Sequence, residues 1–323
     1  MIQPSWLTLA ILLPTAVLLA RAMIAAGIMD IPTGRKAHAR PTPRAGGIAP
    51  IGACLLATPL FPVLWSTQTA VALICAAGLG GVGLLDDVRD RGAAIKFAAQ
   101  TSAAVAVVSL GSFGADAWNT AGPILAVLAV GWLVFITNVF NFMDGSDGLA
   151  AGTGLIAAVF LAAAAPTGGP VQVVAGALAA GLAGFLPFNL PPARLFLGDT
   201  GSQFCGFLLG VLGLGLAQEA GTVHSLWLLP LLLGGMIVDV GFTLARRIQA
   251  GARITTAHRE HFYQRASFPA WVVMLAHWGL ALLGALTWVM LDGVQGWLAL
   301  PLWGLAHGAW LGFTQAGGVR IRP

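Results

Sequence analysis

Asp86 and Asp87, with Asp90 one helical turn further, are the first residues whose type and spacing point to chemistry. They close a long apolar run, where a helix would present its C-terminal end. Carboxylates there oppose the helix macrodipole, and Asp86 with Asp90 is a like-charge i,i+4 pair. Two readings fit: a bound cation, or an interfacial cluster neutralised by Arg89 and Arg91. Lys96, with Gln100 four residues on, follows across a short turn. It either snorkels to a membrane interface or holds a phosphate.

Asn138-Val-Phe-Asn141-Phe-Met-Asp144-Gly-Ser-Asp147-Gly148 places two amides and two carboxylates in one stretch with no basic residue. Gly145 and Gly148 allow a tight turn and a close approach to a ligand, and unpaired acids at a membrane surface favour a functional role over a plain turn. A third group runs Phe188-Asn189-Leu-Pro-Pro-Ala-Arg194-Leu-Phe196-Leu-Gly198-Asp199-Thr-Gly201-Ser202. Asp199 fits an ordinary N-cap. The same place offers free backbone N–H groups to a phosphate, and its carboxylate suits Mg²⁺ bridging phosphate oxygens. Phe196 suits stacking on a base or a bland interfacial position.

His258-Arg259-Glu260-His261-Phe-Tyr-Gln-Arg265 occupies the longest polar connection, roughly 246–268. Two His and one Glu do not specify zinc. A basic, hydrogen-bonding loop for a sugar diphosphate and a solvated amphipathic loop both remain open. Asp239 lies inside an apolar run, which makes it a functional candidate by default, with Arg246 at i+7 as the expected partner.

What must position these residues follows from composition. The 323 residues are 58% hydrophobic and 9% charged, with mean hydropathy +0.86, against about 25% charged in a soluble domain. The chain therefore reads as an all-α, polytopic integral membrane protein, one unit over 1–323. A pI near 9.5 does not indicate nucleic acid, because the basic residues are scattered without a basic face or aromatic interleaving. Cys54, Cys75 and Cys205 lie in apolar runs and fit neither a disulfide framework nor a metal knuckle. The first 20 residues hold no Lys or Arg, so the first apolar run reads as a retained span rather than a signal peptide. At about 20 apolar residues per span, eleven runs qualify: 6–26, 46–65, 69–85, 94–112, 122–138, 149–165, 170–187, 202–218, 225–245, 269–290 and 296–314. All 16 Lys and Arg fall on alternate connections, the flanking helix ends and the C-terminal tail included. That puts the N-terminus outside and the C-terminus in the cytoplasm. Most acids share the basic side, which no topology rule requires and a common cytoplasmic site explains.

Taken together, Arg35-Lys36-Ala-His38 with Pro41-Thr-Pro-Arg44-Ala-Gly46-Gly47, Asp86-Asp87, Lys96 with Gln100, Asn141-Phe-Met-Asp144-Gly-Ser-Asp147-Gly148, Phe196-Leu-Gly198-Asp199-Thr-Gly201-Ser202 and the His258–Arg265 loop resemble the polyprenyl-phosphate N-acetylhexosamine-1-phosphate transferase family. The resemblance implies a Mg²⁺-dependent transfer, with Mn²⁺ as a substitute, of a sugar 1-phosphate from a UDP-sugar to undecaprenyl phosphate, releasing UMP at the cytoplasmic face of a bacterial inner membrane. It implies Asp199 as metal ligand with Asp86. It gives Asp86 as the acid that deprotonates the lipid phosphate, with Asp87 beside it, and Lys96 and Asp144 as further catalytic groups. Asn189, Phe196 and Asp147 match positions that engage uridine, and Asn141 lines the cleft. Lys36, Arg44, His258, Arg259 and His261 match the sugar and diphosphate side. A homodimer is compatible with this pattern. The last loop reads His-Arg-Glu-His, which is similar to the O-antigen initiators rather than to the three consecutive histidines of the pentapeptide translocases. This implies an N-acetylhexosamine such as GlcNAc, or a 6-deoxy sugar such as FucNAc or QuiNAc, at the start of a lipid-linked polysaccharide such as lipopolysaccharide. A secondary transporter is disfavoured because only Asp239 lies deep and no halves match. A CDP-alcohol phosphotransferase is disfavoured because Gly152 stands where its motif needs Arg.

Overall fold

A computed structural model describes residues 8–31, 41–89, 92–110, 115–252, 260–265, 268–291 and 296–316. Lys36, His258 and Arg259 lie outside the described residues.

A π-helical turn, Thr8–Leu12, leads into α1 (Leu13–Ala26), which ends on Gly27 in the left-handed conformation. Two short strands, β1 (Met29–Asp30) and β2 (Thr42–Pro43), pair antiparallel in the register Met29↔Pro43 and Asp30↔Thr42. There follow α2 (Ile48–Leu60), α3 (Thr67–Val88), α4 (Ala93–Ser109), α5 (Ala115–Met143), α6 (Leu149–Ala164), α7 (Pro170–Asn189) and α8 (Gly198–Glu219). After a 3₁₀ turn come α9 (Leu228–Leu232), α10 (Gly234–Gln249), the single turn α11 (Phe262–Arg265), α12 (Ala270–Leu291) and α13 (Gly296–Ala316). The starts follow ordinary capping chemistry. Ser66 Oγ accepts from Thr69 N–H at the head of α3, and Pro170 opens α7, where its missing N–H costs nothing.

α8 lies at the centre, against α3, α5, α6 and α7, and is almost wholly buried. Its glycines permit this: Gly206 packs on Thr137 and Phe140 of α5, Gly201 on Gly47 before α2, and Gly213 on Leu229 of α9. Small residues at helix contacts are how helices associate in lipid, where burial of apolar surface gives no preference for protein over acyl chain. The outer faces carry large exposed apolar side chains, among them Ile74, Ile124, Val127, Leu282 and Leu305. A soluble protein would hide these, and the chain is a multi-pass membrane protein.

Among the described residues five helices are long and apolar enough to cross a membrane: α3, the Pro123–Met143 part of α5, α7, α8 and α12. A sixth candidate is the 225–245 run, which is not one helix: its two pieces meet at 72° where Leu233 is followed by Gly234 and Gly235. Gly234 packs against Trp303 of α13, so a side chain there would collide. Other expected spans fall on shorter helices, namely Ala10–Ala26, α2, α4 and α6. The 46–65 run stops at Leu60 because Phe61 turns extended ahead of Pro62. The run expected at 122–138 belongs to a longer helix that continues to Met143, so Asn138 and Asn141 sit on its last turns rather than in a loop.

Candidate active site

The chemistry-bearing residues gather where α3 and α5 end and where α4 and α8 begin. Lys96 Nζ, one turn into α4, donates to Asp86 Oδ2 of α3 at 2.9 Å and to Asp199 Oδ2 of α8 at 2.6 Å. Asn141 Nδ2 of α5 donates to Asp199 Oδ1 at 2.9 Å and to Ser202 Oγ at 2.7 Å. Four helices are thus tied through one carboxylate. Snorkelling does not describe Lys96, since its ammonium lies between two acids contributed by separate helices.

Asp87, adjacent in sequence to Asp86, faces inward and is 4% exposed. Its Oδ1 accepts from the Asp199 N–H at 3.1 Å, and its Oδ2 accepts from the Thr200 N–H at 3.0 Å and the Thr200 hydroxyl at 2.7 Å. Asp87 therefore satisfies the first turn of α8 from another helix. This corrects two expectations. Asp199 does not cap α8, whose N-cap position is Leu197, and two of the amides offered to a phosphate are already taken. The fit is close: Gly198 has φ 73°, and a Cβ there would meet Asp87 Oδ2, while one on Gly83 would strike the Asp199 carbonyl. Alternate faces of α3 explain why neighbouring acids do different work, because successive helix residues point about 100° apart.

Asp144 lies in the turn after α5. Burial, followed by the facing Asp199 and Asp87 carboxylates, pushes its carboxyl well above the usual carboxylate range, with the Gly198 N–H acting in the opposite sense. Asp147 Oδ2 accepts from the Ala193 N–H at 2.9 Å. Asn189 Oδ1 accepts from the Gly148 N–H at 3.0 Å, and its Nδ2 donates to the Leu195 carbonyl at 3.0 Å. Both residues brace the 144–148 turn against the 190–195 segment, and Asn189 is buried with both ends of its amide occupied.

Phe196 joins this segment to the N-terminal hairpin: its N–H donates to the Pro43 carbonyl and its carbonyl accepts from Gly46 N–H at 2.9 Å. Gly47 N–H donates to the Leu197 carbonyl at 2.9 Å. Gly47 and Gly201 pass so closely that neither position has room for a Cβ, which is the physical content of the Arg44-Ala-Gly-Gly spacing. The hairpin brings Arg44 Nη1 to 3.6 Å from Asp30 and 3.8 Å from Asp87.

His261 lies on a segment that packs on the end of α5, with its ring 5.9 Å from that of Phe142. Its Nδ1 is 3.0 Å from Asp239 Oδ1. Arg246, the expected partner of Asp239, instead donates to Glu260, at 2.9 Å to the carbonyl and 3.5 Å to Oε2. The i+7 spacing put Arg246 on the correct face but too far along the helix.

Sequence reasoning missed Thr200 and Gln203. Gln203 Oε1 accepts from Gln100 Nε2 at 2.7 Å, and Gln100 Oε1 accepts from Asn138 Nδ2 at 2.7 Å, forming a buried amide chain beneath the acids. The signal was available: three amides inside apolar runs need partners, and in lipid each must find one within the protein.

No three Asp, Glu, His or Cys side chains converge as a metal cage among the described residues. Mg²⁺ does not require one. It typically takes one or two carboxylates and completes its shell with water and substrate phosphates. Asp199 and Asp86, both oxygen donors brought to the same Lys96 ammonium, fit that pattern.

Carboxylates, amides and one lysine from four helices are thus gathered at one end of a helical membrane protein. Comparison with known proteins makes the class specific. Residues 69–217 match the family model described as glycosyl transferase family 4. The chain is 33% identical over 270 residues to a probable undecaprenyl-phosphate N-acetylglucosaminyl 1-phosphate transferase of Bacillus subtilis, covering 81% of this chain and 75% of the relative. It is 33% identical over 280 residues to a decaprenyl-phosphate N-acetylglucosaminephosphotransferase of Mycobacterium tuberculosis, covering 74% and 69%. It is 32% identical over 288 residues to a phospho-N-acetylmuramoyl-pentapeptide-transferase of Heliobacterium modesticaldum, covering 80% and 86%. The chain belongs to glycosyl transferase family 4, in the polyprenyl-phosphate N-acetylhexosamine-1-phosphate transferase group that its signature residues resemble.

Proposed function

We propose that this protein transfers a sugar 1-phosphate from a UDP-N-acetylhexosamine to undecaprenyl phosphate, releasing UMP, at the cytoplasmic face of a bacterial inner membrane. The donor is UDP-GlcNAc or a 6-deoxy relative such as UDP-FucNAc or UDP-QuiNAc, and the product starts a lipid-linked polysaccharide of the O-antigen kind. The observation that carries this reading is the Lys96 bridge between Asp86 and Asp199 beside Asn141, in a chain of this family.

In the reaction an oxygen of the lipid phosphate attacks the phosphorus that bears the sugar. The bond from that phosphorus to the bridging oxygen breaks, and UMP leaves with the oxygen. One phosphoanhydride replaces another, so little intrinsic driving force exists, and the protein's task is to hold two anions together and spread their charge. Lys96 supplies a positive charge at the point of transfer, and Asp86 takes the proton of the lipid phosphate. Asn141 keeps Asp199 turned toward the site, and Asp87 holds the first turn of α8 beneath it. Arg44, with Lys36, His258, Arg259 and His261, serves the sugar and diphosphate. The Phe196 ring stacks on uracil against the wall that Asp147 and Asn189 brace. Mg²⁺ on Asp199 and Asp86 would neutralise the diphosphate and polarise its oxygens.

The test is UMP release from a panel of UDP-N-acetylhexosamines by membranes containing the protein, supplied with undecaprenyl phosphate and Mg²⁺. One donor should support release, with loss on chelation by EDTA and recovery on adding Mg²⁺. Absence of release across the panel would overturn the reading.

A further inference from the structure

Asp239 lies in α10, fully buried, and its carboxylate is crowded with donors. Oδ1 faces His261 Nδ1 at 3.0 Å and accepts from the Phe262 N–H at 3.1 Å and the Thr243 hydroxyl at 3.3 Å. Oδ2 accepts from the Tyr263 N–H at 2.9 Å. Three of these four partners belong to consecutive residues of another segment, so one side chain grips the backbone and the imidazole of 261–263 together.

The far side of the same segment touches the site. The Tyr263 hydroxyl donates to the Phe142 carbonyl at 3.1 Å, next to Asn141, and it abuts Gly145, next to Asp144, where a Cβ would collide with it. Gln264 Nε2 donates to the same hydroxyl at 3.0 Å. Residues 261–263 are therefore clamped between Asp239 on one side and the Asn141–Gly145 turn on the other.

We propose that Asp239 is a positioning residue for the donor side of the site: it docks the 260–265 segment on the turn that carries Asp144, and so sets how the nucleotide-sugar is held. The docking stands on the geometry alone; its kinetic consequence rests on the transferase reading. The chemistry demands a carboxylate. Both oxygens accept, and an amide at this position would turn an NH₂ group toward a backbone N–H or the imidazole N–H, donor against donor.

The test compares wild type with Asp239→Asn and Tyr263→Phe by two readouts. The first is hydrogen exchange of the Phe262 and Tyr263 amides, expected to accelerate about tenfold or more in Asp239→Asn; exchange at the wild-type rate overturns the docking. The second is steady-state kinetics. KM for the UDP-sugar should rise about tenfold or more, as for a loosened substrate contact, with KM for undecaprenyl phosphate unchanged. An equal rise in both KM values, or a fall in kcat with both KM values unchanged, overturns the positioning role. If Asp239→Asn fails to accumulate in membranes, Tyr263→Phe, which removes only the far anchor, decides by the same donor-selective rise. Wild-type protein inert with every donor defeats the transferase reading, and the exchange measurement still decides the docking.

Discussion

Asp87 and Asp199 are joined by one hydrogen bond, from the Asp199 amide to Asp87 Oδ1, but their carboxylates are held for different ends. Asp87 is buried and satisfies three donors of α8. Removing it orphans buried amides, each costing about 1–3 kcal/mol. Asp199 faces Lys96 and Asn141 at the mouth of the bundle. Asp199→Ala is expected to abolish UMP release with a smaller fall in melting temperature in detergent than Asp87→Ala, which should lower that temperature further as well as reduce activity. Equal melting temperatures for the two variants would remove the distinction. Lys96→Met should reduce turnover at least about a hundredfold, the scale for losing one preorganised charge at a transferring group, while the protein still inserts; UMP release by purified variant checks it. The identity of these residues was legible in the sequence, because acids and amides inside apolar runs are costly and need a reason. Their division of labour was not, since it depends on which donors the fold delivers to each carboxylate, and those donors lie 58 to 113 residues away.

At the scale of elements, glycines set how close helices come. Gly201 of α8 meets Gly47 with no space for a side chain, whereas Gly81 of α3 faces open space. Gly201→Ala should therefore be destabilising and should reduce activity by displacing Asp199, two residues away. Gly81→Ala should be neutral or stabilising by about 0.5–1 kcal/mol, because alanine loses less freedom than glycine in a helix. Thermal melts of the two variants decide this, and a Gly201→Ala protein as stable as wild type would refute the close-packing account. Element existence was readable from apolar runs, but lengths were not. The 122–138 run lies within a 29-residue helix because Asn138 and Asn141 find partners on α4 and α8, which lets polar residues stay helical where a sequence reading turns the chain. The 225–245 run breaks at Leu233, beside Gly234, which packs against Trp303, a contact that no local pattern reveals.

For the whole molecule, the gathering of acids and bases at one end of the bundle agrees with the charge asymmetry of the connections. A Cys introduced at position 116, with Cys75 replaced by Ser so that only the buried Cys54 and Cys205 remain, is expected to react with an impermeant reagent from outside the cell. One at position 257 should react only after permeabilisation, and the reverse pattern would invert the orientation. The sequence by itself determined that this is a membrane protein and which family it belongs to, and it singled out Asp86, Lys96, Asn141 and Asp199, which the fold brings together. These follow from the low charge that lipid enforces and from the order and spacing of the motif residues. Tertiary structure alone decided that Lys96 bridges Asp86 and Asp199, that Asp87 caps α8 in place of Asp199, and that Asp239 grips residues 261–263 rather than Arg246. Each of these is a pairing between helices. Pairing is set by which faces pack together, and the linear order of residues does not carry that information.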